Sequence, residues 1–450
     1  MSLLDWTILI VTLLLIIGYG LYKSRTTHNL DGYFLSNRSL PWGLVLLSIM
    51  GTQASAITFL SAPGQAYTDG MRFVQYYFGI PLAMIVICIF FIPIFNKLKV
   101  YTAYEYLEQR FDGKTRTLTA VLFFLQRGLS TGISVFAPSI ILSSLLGWNI
   151  YWTNLFMGGL LIIYTMTGGA RAVAYTQQLQ LIIIFIGMFL AGWMVVRMLP
   201  SGVGFTDALD VGGKLNRMNV ITTGMRPGKG FNWSDQYNLF SGIVGGFFLA
   251  LSYFGTDQSQ VGRYLTARSM RESRMGLLMN GIVKVPMQFL ILLIGILVFA
   301  FYQFRQAPIF FNETQISKIK NSPLRDSFNI VNAQYNAIHG QKETILLSYA
   351  QARNAADEAG ANLHLDSMRS LQAKSEQLRG TVIRWLKNDI PGGDSNDTNY
   401  IFLRFVVDYL PPGLVGLLIA IIFLASWGSI AAAINSLASC SMIDLHRRFR

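Results

Sequence analysis

The sequence predicts an all-α polytopic membrane protein, on three observations. Of its 450 residues, 52% are apolar and 13% charged, roughly half the charged share of a soluble domain. Apolar runs of 18 or more residues recur, the length a helix needs to cross about 30 Å of hydrocarbon. Lys and Arg gather on alternate connections between those runs, as the positive-inside rule requires. That rule accounts for most of the net charge of +13, which therefore does not point to nucleic acid. Cys88 and Cys440 fall inside apolar runs and read as free buried thiols.

Nine spans are expected, at about 4–22, 41–64, 72–96, 117–146, 149–167, 173–197, 238–256, 275–304 and 411–445. The first carries Asp5 before its apolar run and Lys23 and Arg25 after it, with no basic n-region or cleavage site. It reads as a retained helix, not a signal peptide, with its N-terminus outside a cell membrane. Connections 23–40, 97–116, 168–172, 257–274 and 446–450 share one side, with bases such as Arg38, Lys97, Arg171, Arg268, Arg271, Arg274, Arg448 and Arg450. The short opposite connections, 65–71 and 147–148, hold none, which makes the basic side cytoplasmic. Residues 201–237 form a polar external loop, and 305–410 an external insert with one or two exposed helices.

The second span, 41–64, is apolar only at its start. It then passes through Gly51, Thr52, Gln53, Ser55 and Thr58. Polar groups at that depth line a cavity or are satisfied by neighbours. A broken transporter helix does the former, whereas small residues packing helix on helix is the alternative. The ninth span offers Ser426, Gly428, Ser429, Asn435 and Ser436 after an apolar start. Its hydroxyls either bond their own backbone or complete a cation site opposite the broken helix. Two charges fall inside spans: Arg127 near mid-membrane, and Lys284, which either serves a cavity or snorkels to the cytoplasmic side. Glu105 and Glu108 read as partners of Arg110 and Lys114, and Asp257 as a partner of Arg263. The four His are scattered, no metal-ligand cluster or phosphate-binding Gly loop is present, and no enzyme is predicted.

Five segments in order resemble the sodium:solute symporter family: SAITFLSAPGQAY (55–67), TAYEYLEQRF (102–111), IYTMTGGARAVAYTQQLQ (163–180), GTDQSQVGRYLTA (255–267) and the ninth-span pattern. The resemblance implies a leucine-transporter-type inverted-repeat fold. An extra N-terminal helix and connection (1–40) comes first, then a first five-helix repeat (41–200), the loop 201–237, the start of a second repeat (238–304), the insert 305–410 and a final helix (411–450). The second repeat would be incomplete, as in a truncated chain or fragment.

The resemblance also implies sodium-coupled symport of a sugar, acidic sugar or organic acid in a lipid bilayer, with no protein partner expected. Its sodium site would use the carbonyls of Gly51, Ala54 and Ala425, and hydroxyls at positions 428 and 429, of which Gly428 has none and Ser429 keeps its own. A second sodium site in some members needs an acid where Gln177 stands and hydroxyls where Ala431 and Ala432 stand, so at most one Na⁺ is expected. Solute contacts would fall on Gln53, Ser55, Thr58, Phe73, Tyr77, Tyr253 and Lys284. Arg127 is a further expected solute contact: it lies one turn from Ser130, where sialic-acid-transporting members hold a carboxylate with arginine, and would hold the carboxylate of an acidic solute from that turn. Other readings are a sodium-independent or proton-coupled carrier, and a transporter-like sensor module of a longer signalling protein.

Overall fold

Backbone polar groups in hydrocarbon find no water, so an apolar run satisfies them within itself as a helix. Each of the nine expected spans is helical in the computed structural model, which describes residues 1–24, 29–146, 148–166, 169–226, 228–355 and 357–447. Arg25, Gly168, Arg448 and Arg450 lie outside the described residues.

The helices are α1 (Leu3–Ser24), α2 (Leu30–Leu35), α3 (Trp42–Gln53), α4 (Ala56–Asp69), α5 (Ile80–Val86), α6 (Ile92–Leu98), α7 (Ala103–Arg110), α8 (Gly113–Leu146), α9 (Ile150–Met166) and α10 (Gly169–Arg197). There follow α11 (Phe205–Lys214), α12 (Gly246–Thr256), α13 (Gln258–Leu265), α14 (Met270–Phe304), α15 (Glu313–Lys320), α16 (Arg325–Asn354), α17 (Glu358–Asn388), α18 (Thr398–Tyr409) and α19 (Leu414–Cys440). A two-stranded hairpin, β1 (Met225–Arg226) and β2 (Gly230–Phe231), follows α11.

α19 is the central post. In its apolar stretch 83% of residues are buried against protein, compared with 11% in α8, whose apolar side chains face outward. α3, α4, α10 and α1 pack around α19. Asp5 of α1 fixes this arrangement, its carboxylate accepting from the N–H groups of Gly413 (2.6 Å) and Gly416 (3.1 Å) at the start of α19. Those N–H groups have no partner within the helix, and the negative charge suits the helix N-terminus. Gly416 permits the approach, because a Cβ there would lie 2.2 Å from the Asp5 carbonyl oxygen.

Several expectations are corrected. α14 begins at Met270 and α10 at Gly169, so Arg271, Arg274 and Arg171 stand on helices instead of connections. The connection 257–274 holds α13, whose eight residues are all buried. Glu105 and Glu108 bond Arg116 (3.5 and 2.5 Å), not Arg110 or Lys114, because the start of α8 packs across α7. Arg116 also bonds Asp444 at 2.7 Å, tying α8 to the end of the last span. The insert contains four described helices, α15 to α18. α16 and α17 form a hairpin, while α18 buries Ile401, Phe402, Leu403, Phe405 and Val406 and packs on α4. Residues 201–237 are not wholly irregular, since they hold α11 and the β-hairpin.

Candidate functional site

The polar second half of span 41–64 breaks it. α3 ends at Gln53 and α4 starts at Ala56, with a 65° bend between them. Ala54 and Ser55 take extended backbone angles, so the last carbonyls of α3 lose their helical partners. Thr58 Oγ1 accepts from the Ser55 N–H at 3.4 Å, one half of a capping box that starts α4.

A second break, not expected, separates α12 from α13 at Asp257. Asp257 caps α13, accepting from the Ser259 N–H (2.8 Å) and hydroxyl (2.6 Å). Its other oxygen forms an ion pair with Arg127 of α8. Arg263 instead donates to Asn435 at 3.0 Å, so the expected Asp257–Arg263 pair does not form. The signal for this break was a lone acid in apolar surroundings directly before Gln-Ser.

Both breaks open onto one cavity of about 470 Å³. Gln53 lines it from the first break and Asp257 from the second, with Tyr76, Tyr77, Tyr104, Gln126 and Tyr253 between. The Gln53 Oε1 is buried with no partner. Tyr253 accepts from Gln260 at 2.8 Å, and its ring lies 5.7 Å from the Arg127 guanidinium. Phe73, Ser55, Thr58, Arg127 and Lys284 stand outside the lining. Phe73 stacks behind Tyr76 at 5.7 Å.

Lys284 is 1% exposed, with its ammonium 5.5 Å from the Tyr77 ring centre. It stands 14 residues into α14, about 21 Å from the end at 1.5 Å per residue, and so does not snorkel. Asn280 and Gln288, one turn to either side, are fully buried, and neither amide has a hydrogen-bond partner. Sequence reasoning missed both, although the i−4, i, i+4 spacing puts all three on one helix face.

The residues expected to hold sodium, between α3 and α19, stand beside Gln177. Gln177 of α10 is fully buried. Its Nε2 donates to the Gly428 carbonyl (2.8 Å) and the Thr52 hydroxyl (3.1 Å), and its Oε1 accepts from the Ser48 hydroxyl (2.7 Å). The glycines make room: a Cβ at Gly51 would lie 2.8 Å from Gln177 Cβ, and one at Gly428 2.7 Å from Gln180 Oε1. Ala54 and Ala425 are buried beside them, and Ser429 donates to the Ser426 carbonyl at 3.0 Å. Ala431 and Ala432 pack on Val173 in an apolar cluster. Among the described residues no group of three or more His, Cys, Asp or Glu is placed to hold a metal ion.

Comparison with known proteins follows the same lines. A sequence profile described as "Sodium:solute symporter family" matches residues 33–321. The chain is 28% identical to the human "Sodium/iodide cotransporter" over 305 residues, covering 66% of this chain and 45% of that one. It is 28% identical to the Vibrio parahaemolyticus "Sodium/glucose cotransporter" over 306 residues, covering 66% and 55%. The Oryctolagus cuniculus "Sodium-dependent multivitamin transporter" is 29% identical over 313 residues, covering 67% and 46%. The chain thus spans about half the length of these relatives. A solved structure, the substrate-bound outward-open state of a Na⁺-coupled sialic acid symporter, superposes with a TM-score of 0.72 at 22% identity, covering all of this chain and 76% of that one. This likeness establishes the leucine-transporter-type fold.

Proposed function

The chain belongs to the sodium:solute symporter family, and on that premise we propose that it carries a small polar organic solute across a cell membrane by sodium-coupled alternating access. One observation carries the reading: two helix breaks on different parts of the chain, at Ala54–Ser55 and at Asp257, open onto a single cavity. Broken helices present free backbone groups there, and motion of one bundle against the other exposes the cavity alternately.

In this reading Gln53, Tyr77 and Tyr253 meet the solute, while Lys284, Asn280 and Gln288 supply polar groups behind Tyr77. The solute is a sugar, acidic sugar or organic acid. Because Arg127 already holds Asp257, the lining favours the uncharged end of that range. Ser55, Thr58 and Phe73 support the wall. Sodium, as co-substrate, would be held by the Gly51, Ala54 and Ala425 carbonyls and the Ser429 hydroxyl, beside Gly428. The alternation of basic connections supports an N-terminus outside, and the α16–α17 hairpin then stands on the outer face.

Purified protein in proteoliposomes tests this. A panel of sugars, sialic acid, amino acids and monocarboxylates is offered with and without an inward sodium gradient. Uptake of at least one solute should rise with the gradient, and uptake equal in both conditions would sink the symport reading. A second reading, a sodium-independent or proton-coupled carrier, is favoured by one observation. The Gln177 amide donates to oxygens of both α3 and α19, as a cation between those helices would otherwise bind them. The same assay with a proton gradient alone separates the two.

A further inference from the structure

The hairpin of α16 and α17 lies beyond the residues matched by the family profile. It roofs a second cavity, of about 400 Å³, over the ends of α4 and α14. This cavity shares no lining residue with the one between the helix breaks.

Its charges do not balance. Arg217 is paired with Glu376 at 2.7 Å and Arg379 with Asp397 at 2.5 Å. Lys342 of α16 is 4% exposed, and its ammonium donates only to the neutral Gln372 Oε1, at 2.6 Å. Glu376, which Gln372 also contacts at 2.8 Å, acts on the ammonium only at longer range and is itself paired with Arg217. A buried cation with a neutral partner is costly, and it marks a place where an anion is missing. Burial pushes the Lys342 pKa down to about 8, which leaves it largely protonated at neutral pH.

The facing wall is also short of partners. The Tyr302 hydroxyl, the Arg217 Nε and the Gln303 Oε1 are buried with none. Three donors and one acceptor therefore converge on one space. The Tyr67 and Phe299 rings, 5.3 Å apart edge to face, give that space an apolar side. An inorganic ion would leave the Tyr67 and Phe299 rings uncovered, whereas a carboxylate on a short carbon skeleton meets both the donors and the rings.

We infer that the hairpin creates a second ligand site, distinct from that of the transported solute and selective for a small organic anion, in which Lys342, Arg217 and the Tyr302 hydroxyl hold the carboxylate and Gln303 accepts from a hydroxyl on its skeleton. It sits on the face proposed above as outer, before the central cavity.

Calorimetric titration of the purified full chain at pH 7 tests this, with lactate as the probe and lactamide and sulfate as controls. Lactate should bind, lactamide should not, and sulfate should bind at least tenfold more weakly. Lys342→Met should weaken lactate binding tenfold or more, while Lys342→Arg should restore it to within about threefold. Because Lys342→Met has the potential to disturb the hairpin, a second measurement uses the unaltered protein. Lactate should slow acylation of Lys342, followed by peptide mass spectrometry, and lactamide should not. Absent lactate binding, equal binding by lactamide or sulfate, undiminished binding in Lys342→Met or unprotected Lys342 would each overturn the site. None of these outcomes bears on the sodium-gradient test of the central cavity.

Discussion

The two helix breaks face the same cavity but are built from opposite chemistries. At Ala54–Ser55 the surroundings are neutral: a buried amide, Gln177, joins Ser48 and Thr52 of α3 to Gly428 of α19. At Asp257 a carboxylate caps α13 and holds a guanidinium from α8. A break in a helix leaves polar groups that must be satisfied at a depth where water is scarce. The first break uses hydrogen bonds between uncharged groups, and the second uses an ion pair. The first can therefore be altered one bond at a time, whereas the second fails as a unit.

The sharpest way to break the comparison is Asp257→Asn. It leaves Arg127 charged in a part-buried site (side chain 16% exposed), and the cost should approach about 3 kcal/mol, the lower end for a broken buried pair. A fall in melting temperature with loss of uptake is expected, and Arg127→Gln added to it should recover much of the stability. If the single change is silent, the ion pair does not hold the break. Next, Gln177→Ala removes three hydrogen bonds and leaves the Gly428 carbonyl and two hydroxyls buried, for about 2 kcal/mol, read by denaturant midpoint. Gln177→Glu should instead preserve the shape and add a charge, so that melting temperature rises more steeply with sodium than in the unaltered protein. Unchanged sodium response would count against a cation seat beside Gly428.

Gly51→Ala is a smaller effect, about 1–2 kcal/mol of overpacking against Gln177, and it should vanish in a Gln177→Gly background, which removes the Cβ that alanine would keep. Additive costs would show that the two do not share space. The smallest change in stability is expected from Ser429→Ala, whose hydroxyl bonds only its own helix backbone. Its readout is the sodium concentration for half-maximal uptake, which should rise about tenfold, the equivalent of about 1.4 kcal/mol. No rise would remove Ser429 from the sodium ligands.

The positions of the long helices were legible because hydrocarbon forces them: a long apolar run has to be a helix. The break in span 41–64 was legible too, since Gly, Gln, Ser and Thr accumulate within one turn of it. The second break was hidden, because "GTDQSQVGRYLTA" reads as a polar connection until burial of every residue of α13 shows otherwise. α18 was hidden for a related reason: its apolar stretch is short, and its polar neighbours made it look external.

By itself the sequence determined the helical class, the recurrent long apolar helices, the resemblance carried by five ordered motifs and the absence of an acid at Gln177. Those are properties of local composition and order. The tertiary structure alone decided that Asp257 meets Arg127 rather than Arg263, that the Gln177 amide bridges α3 and α19, and that Lys342 stands buried without a carboxylate. Each pairs residues more than 25 positions apart, or leaves one unpaired, and which helix faces pack together fixes it. No periodicity along the chain encodes that choice.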